Sequence, residues 1–300
     1  MSSETTPQIE PTAQIEPAAQ IEPSSLGLRT VHLRPHAGLR RALAPSELWP
    51  YRELALQLAV RDVTVRYRQT LLGAAWAVLQ PVGTMVVFTI FFGHLAHLKS
   101  EGHAYALFSL AGLVPWTFFA NALLLGSQSL LTNKALVSKT YFPRIFIPAG
   151  LIAAGLVDLA IGFVILIVVV LASGSSLGVG LLLVPLLVLI TAVAALGVAS
   201  ALAAVNVRYR DVQYVVPFAV QLWLFATPIA YPLTLVHGAW HTLLAINPMT
   251  GVVEGFRWAV LGGGSAPWDL IAISAASAIV LLAAGLAYFA RAERSFADIV

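Results

Sequence analysis

The sequence predicts an all-α integral membrane protein with six transmembrane helices, and three observations predict it. Of 300 residues, 59% are hydrophobic and 10% are charged, against roughly 25% charged in soluble domains. Apolar runs approaching or exceeding the roughly 20 residues that cross a bilayer recur at 71–95, 104–125, 147–171, 177–205, 214–233 and 268–289. The basic residues gather in alternate connections between these runs, the pattern that orients a membrane protein.

With the N-terminus inside, eight arginines precede the first run: Arg29, Arg34, Arg40, Arg41, Arg52, Arg61, Arg66 and Arg68. Lys134, Lys139 and Arg144 follow the second, Arg208 and Arg210 the fourth, Arg291 and Arg294 the sixth. Only Lys99 and Arg257 fall on the other side. The partition supports a multi-pass protein of the cytoplasmic membrane with both termini cytoplasmic. The net charge of +3 is thereby read as topology rather than nucleic-acid binding. Cysteine is absent, which excludes disulfides, thiolate nucleophiles and Cys-based metal sites and leaves the redox compartment undetermined.

Taken in order, residues 1–25 carry QIEP at Gln8, Gln14 and Gln20. A proline and a glutamate in each copy leave too little apolar surface to offset ordering entropy, so a disordered low-complexity tail is expected. No apolar stretch of a signal peptide follows the start. Residues 26–70 form a basic cytoplasmic segment. Within it, Ser46 can cap a helix that has Pro50 in its first turn. Leu56, Val60, Val63 and Tyr67 then share one face while Arg61 and Arg68 lie on another, the pattern of an amphipathic interface helix. Val63, Val65 and Tyr67 also alternate with polar residues as a strand would, and periodicity alone leaves both open.

Residues 71–290 hold the six-helix membrane domain. Between the second and third runs, 127–148 is too polar to span and offers Asn133 as a cap, so a short cytoplasmic helix is expected there. Between the fifth and sixth, 232–267 is longer than a turn and moderately apolar. Glu254 and Arg257 are three residues apart and can pair on a helix; a structural pair fits better than a substrate contact. Residues 291–300 return positive charge to the cytoplasm as a short tail.

The search for catalytic chemistry is mostly negative. There is no GxxxxGK[ST] phosphate loop, and Ser138-Lys139-Thr140 lacks its glycines. His94, His97, His103, His237 and His241 have no nearby acidic co-ligand, so no metal site is expected; His32 and His36 lie in the basic segment. GSSLG at 174–178 matches the nucleophile-elbow spacing but joins two apolar runs, and reads as an outer turn. Asp158 is the one acidic residue well inside a run, where a carboxylate costs about 2.5 to 3.5 kcal/mol. It is either a pore or relay position, or a carboxylate bonded to a neighbouring helix or lying near an interface. Phe88, Phe91, Phe92, Trp116, Phe118, Phe119, Trp223, Phe225 and Tyr231 supply aromatic surface in or near the runs. Most are expected to be packing or lipid contacts.

Asp62, Arg66-Tyr67-Arg68, Leu72-Gly73, Trp76, Leu79-Gln80-Pro81 and Phe91-Phe92-Gly93 together resemble the opening of type-2 ABC-transporter permeases. The similarity is greatest to the branch that exports lipid-linked polysaccharide and polyol-phosphate polymers such as O-antigen, capsule and teichoic acid, and it runs from about residue 48 to 300. Tyr141 to Arg144 with Lys139 resembles the cytoplasmic coupling helix of that branch. Residues 206–211 are similar to its NxRYRD element, and 245–264 resembles its extracellular re-entrant helices. The resemblance favours the helical reading of 56–67 and implies that this helix lies along the cytoplasmic membrane surface against an ATPase.

It further implies a non-enzymatic permease that binds no cofactor itself. A homodimer would recruit two ABC ATPase subunits that use ATP and Mg, within membrane lipid, and would move a lipid-linked glycan. Arg61, Arg66, Arg68, Lys139, Tyr141, Arg144, Arg208 and Arg210 become candidates for ATPase coupling. Phe88, Phe91, Phe92, Trp116, Phe119, Asp158, Trp223, Phe225 and Tyr231 become candidates for the substrate path, since sugar faces slide on π surfaces. The same architecture exporting a drug or small lipid remains a rival, as do an ATP-independent transporter and an intramembrane enzyme. The last two are disfavoured by the lack of internal repeats and of convergent polar groups in the runs.

Overall fold

A computed structural model describes residues 49–68, 75–98, 100–139, 142–174 and 177–293. The QIEP tail, Ser46, His32, His36, Leu72-Gly73, Lys99, Thr140-Tyr141, the two serines of GSSLG and residues 294–300 lie outside them. Among the described residues helix is the regular structure, and there is no strand. A 3-10 turn at Trp49–Tyr51 leads into α1 (Arg52–Arg68). Next come α2 (Ala75–Phe88), prolonged by a π-helical segment Thr89–Leu95, α3 (Tyr105–Thr132), α4 (Lys134–Lys139) and α5 (Phe146–Ala172). A 3-10 turn Val179–Leu183 precedes α6 (Val184–Arg208), followed by α7 (Val212–Phe225), α8 (Ala239–Ile246), α9 (Pro248–Leu261) and α10 (Trp268–Ala292).

Five of these stretches are long and apolar enough to cross a membrane: Ala75–Leu95, Tyr105–Thr132, Phe146–Ala172, Val179–Arg208 and Trp268–Ala292. The fifth expected run, 214–233, becomes the shorter apolar helix α7, which ends at Phe225. Pro228 follows within a series of turns, where its missing N–H removes a rung of the ladder.

Helix α3 is buried along most of its length and forms the hub, packing against α2, α5, α6, α7 and α9. α9 is buried nearly all round, between α3, α6 and α10. α6 and α10 come closer than side chains permit: a Cβ on Gly285 would overlap the Gly197 carbonyl, and one on Gly197 would lie 2.6 Å from the backbone of Leu281. Such small-residue contacts are how helices pack in lipid, where no hydrophobic drive pulls them together. α2 with its π-helical extension and α7, by contrast, leave many large apolar side chains exposed, among them Trp76, Phe91, Tyr214, Phe218 and Leu222.

The amphipathic helix is present as α1, but its packed face differs from the expected one. Leu58 is its buried residue, and Tyr51, Leu54, Ala55, Ala59, Asp62, Val63, Arg66 and Tyr67 line the same side half-buried. Leu56 and Val60, expected on that side, are 66% and 57% exposed. Polarity misled here because Arg66 turns inward to Asp158 and Asp62, paired with its neighbour Arg61, is half-buried on the packed side. α1 also runs alongside α5 rather than across it. The Tyr51 and Phe146 rings are 6.2 Å apart, Leu58 sits over Gly150, and Arg66 and Tyr67 reach Asp158, so both chains advance in the same direction.

Candidate functional site

The basic connections gather at one end of the bundle, where α3 continues to Thr132 and α4 is a single short helix. The polar residues of 127–132 are accommodated within α3, since Ser127 and Thr132 donate to the Leu124 and Gln128 carbonyls at 2.9 and 3.1 Å. Arg61 is exposed and bonds Asp62 at 2.8 Å and the Asn133 side chain at 2.9 Å. Arg68, Arg208 and Arg210 are also exposed, with the Arg208 guanidinium 5.6 Å from the Tyr209 ring.

Two of the coupling candidates face inward. Arg144 is half-buried; its Nη1 donates to the Glu293 carbonyl at 3.0 Å and its backbone N–H to the Glu293 carboxylate at 3.2 Å. A guanidinium on the last carbonyls of α10 satisfies the end of that helix and opposes its dipole. Arg66 pairs with Asp158, whose other carboxylate oxygen accepts from the Tyr67 hydroxyl. Burial first, then the bond to Asp158, pushes the Tyr67 hydroxyl up to about 12, so it stays a donor at neutral pH. Lys139 closes α4, its side chain outside the described residues, as Tyr141 is.

Asp158 opens onto a cleft of about 370 Å³ that also bears Trp76, Gln80, Phe118, Asn121 and Gly155. Its depth follows from the neighbours. α5 is 27 residues long, about 40 Å at 1.5 Å per residue and longer than the roughly 30 Å of hydrocarbon. The stretch Ala75–Leu95 is 21 residues; its start shares the cleft with Asp158, while Gly93 near its end lies against Tyr105 at the far end of α3. Asp158 is therefore level with the beginning of α2, and the earlier turns of α5 project past it toward the basic end. Asp158 is thus bonded to a neighbouring helix and at the same time borders the cleft. Sequence reading missed its partners, although an acid inside an apolar run and arginines on a nearby amphipathic helix were both visible.

The aromatic candidates separate. Phe119 is wholly buried; it meets Trp223 edge-on, centroids 5.2 Å apart, and Trp116 at a tilt of 48° and 5.7 Å. Phe88 is buried and meets Phe92 edge-on at 5.3 Å. Tyr231 is half-buried and donates to the Phe225 carbonyl at 3.1 Å. Phe91 and Phe225 are exposed. At the opposite end, Arg257 is enclosed: it bonds Glu254 at 2.9 Å, donates to the Ile229 and Phe108 carbonyls at 2.7 and 3.3 Å, and lies 3.5 Å from the Phe108 ring centroid. Among the described residues no group of three His, Cys, Asp or Glu side chains converges on a metal position.

A helical bundle of membrane-crossing lengths, with a basic end and an amphipathic helix docked beside it, defines a multi-pass membrane protein. Residues 53–261 match the family model of the ABC-2 type transporter, and the chain belongs to that family. It is 30% identical over 251 residues to the O-antigen export system permease protein RfbA of Myxococcus xanthus, covering 82% of this chain and 95% of that protein. It is 23% identical to the protein of the same name from Klebsiella pneumoniae, covering 83% and 95%. To the polysialic acid transport protein KpsM of Escherichia coli it is 23% identical over 79% and 93% of the two chains.

Proposed function

We propose that this chain is the permease subunit of an exporter that moves a lipid-linked polysaccharide across the cytoplasmic membrane, driven by a separate ATPase. The carrying observation is the 30% identity that extends over 95% of an O-antigen export permease. Two copies form the conduit and two ATPases dock on the cytoplasmic side. The basic end is that side, as the distribution of arginine and lysine argues. α7 and the turn after it make the fifth of six crossings, and α8 and α9 re-enter from outside. In favour of the re-entrant reading, Asn247 between them accepts from the Met249 N–H at 3.0 Å and donates to the Ala226 carbonyl at 3.2 Å, so the break in the backbone is satisfied by protein.

ATP-driven closure of the partner subunits pushes on α1, α4 and the connection after α6, and shifts the helices between two arrangements. In the encoding organism, deletion of the gene is expected to remove a surface polysaccharide and leave its lipid-linked form inside the cell. Intact surface glycan in that strain, with loss of resistance to a drug instead, would overturn the proposal.

A further inference from the structure

Helix α1 meets α5 at three levels, and the contacts differ in kind. The Tyr51–Phe146 and Leu58–Gly150 contacts are apolar; dispersion contacts of this sort have little directional preference and permit sliding and rotation. The third is polar and convergent. Arg66 Nη1 donates to one oxygen of Asp158 and the Tyr67 hydroxyl to the other. Residues 66 and 67 leave the helix about 100° apart, so placing both on one carboxylate fixes the rotation of α1 and its axial register together. Charge-assisted bonds are the stronger ones, and the Arg66 and Asp158 side chains are 23% and 18% exposed. Among the described residues these are the only side-chain hydrogen bonds between α1 and α5.

We infer that Asp158 is a positioning residue that keys α1 to α5, so that a push on α1 is transmitted to the membrane bundle instead of being lost as slippage. α1 shows its other side to the outside, with Leu56, Val60, Arg61, Val65 and Arg68 exposed. α5 packs along α3, which carries the Trp116–Phe119 cluster. Displacement of α1 can therefore reach that cluster through Asp158 and the α5–α3 interface, alongside the exposed Arg61–Asn133 bond at the end of α3. The role rests on the exporter reading proposed above, and its test separates the two.

The test uses the full permease co-expressed with its ATPase, comparing Asp158→Asn, Arg66→Asp and the exchanged pair R66D/D158R. Asp158→Asn is expected to co-purify with the ATPase and to hydrolyse ATP within about twofold of the parent, while surface glycan in the complemented deletion strain falls at least about tenfold; the exchanged pair recovers most of it, as a coupled pair should. In addition, spin labels on cysteines placed at Val60 and Val164, in a chain that has none of its own, report the α1–α5 spacing of the purified complex directly. That spacing is expected to be narrow in the parent and broadened by Asp158→Asn.

Unchanged spacing and unchanged export in Asp158→Asn would overturn the inference, as would an exchanged pair no better than the worse single variant. Should Asp158→Asn fail to accumulate, accumulation of the exchanged pair supports the pairing and its failure overturns it. A deletion strain that keeps its glycan sinks the export reading alone, since the label distances still decide whether α1 is keyed to α5.

Discussion

Two inward-facing ion pairs, Arg66–Asp158 toward the basic end and Arg257–Glu254 at the other, solve one electrostatic problem in opposite ways. Arg257 and Glu254 lie on the same helix, and the guanidinium is further held by two backbone carbonyls and an aromatic face. Nothing can move there without leaving several groups unpaired. Arg66 and Asp158 belong to different helices and border a cleft. The first pair fastens one locality; the second joins two bodies that can in principle part. What a buried charge does for a membrane protein thus depends on how many elements its partners come from.

The comparison is broken most readily at Arg257. Arg257→Met keeps the bulk of the side chain but strands Glu254, and a buried charge without its partner is expected to cost about 3 to 5 kcal/mol. Detergent-solubilised protein should lose most of its thermal stability, and the double variant E254Q/R257M should regain much of it. Asp158→Asn comes next, at about 1 to 3 kcal/mol because its surroundings are partly open. Here E254Q/R257M and R66M/D158N make the decisive contrast: both should refold to near-parental melting temperature, but only the second should remain defective in export.

Tyr67→Phe removes one hydrogen bond and is expected to cost about 1 kcal/mol. It also tests the titration. The folded value is raised above the usual 10 to about 12, so the contribution of Tyr67 is complete below pH 10 and is lost as pH rises toward 12. Unfolding followed over that window should fall less steeply in Tyr67→Phe than in the parent. The smallest effect belongs to Arg61→Ala, whose exposed pair with Asp62 should contribute less than about 1 kcal/mol. A large loss of melting temperature there would mean that the basic end is held by its surface charges after all.

Much of the bundle was legible in the sequence because hydropathy reports insertion directly. The run at 147–171 became Phe146–Ala172 and that at 268–289 became Trp268–Ala292. The Glu254–Arg257 pair was legible for a local reason, its spacing on a helix. Errors arose where polar groups were satisfied out of sight. α3 extended past its expected end, where Ser127 and Thr132 bond carbonyls of the preceding turn. α1 was assigned the wrong packed face because Arg66 and Tyr67 find a partner on α5 and Asp62, held by its neighbour Arg61, lies half-buried on the same side. The depth of Asp158 depended on where α2 begins beside it, and no one-dimensional pattern encodes a neighbour from another helix. For the aromatic candidates, type and position were visible but direction was not, and the structure divides them between sealed and exposed.

The close apposition of Gly197 and Gly285 has a consequence for any cycle of opening and closing. Two backbones in direct touch cannot shear past one another without collision, so α6 and α10 must travel as a single plank. Whatever widening the substrate needs has to be found at the thinly attached α2 and α7, and the plank supplies a stationary reference against which their excursions can be measured.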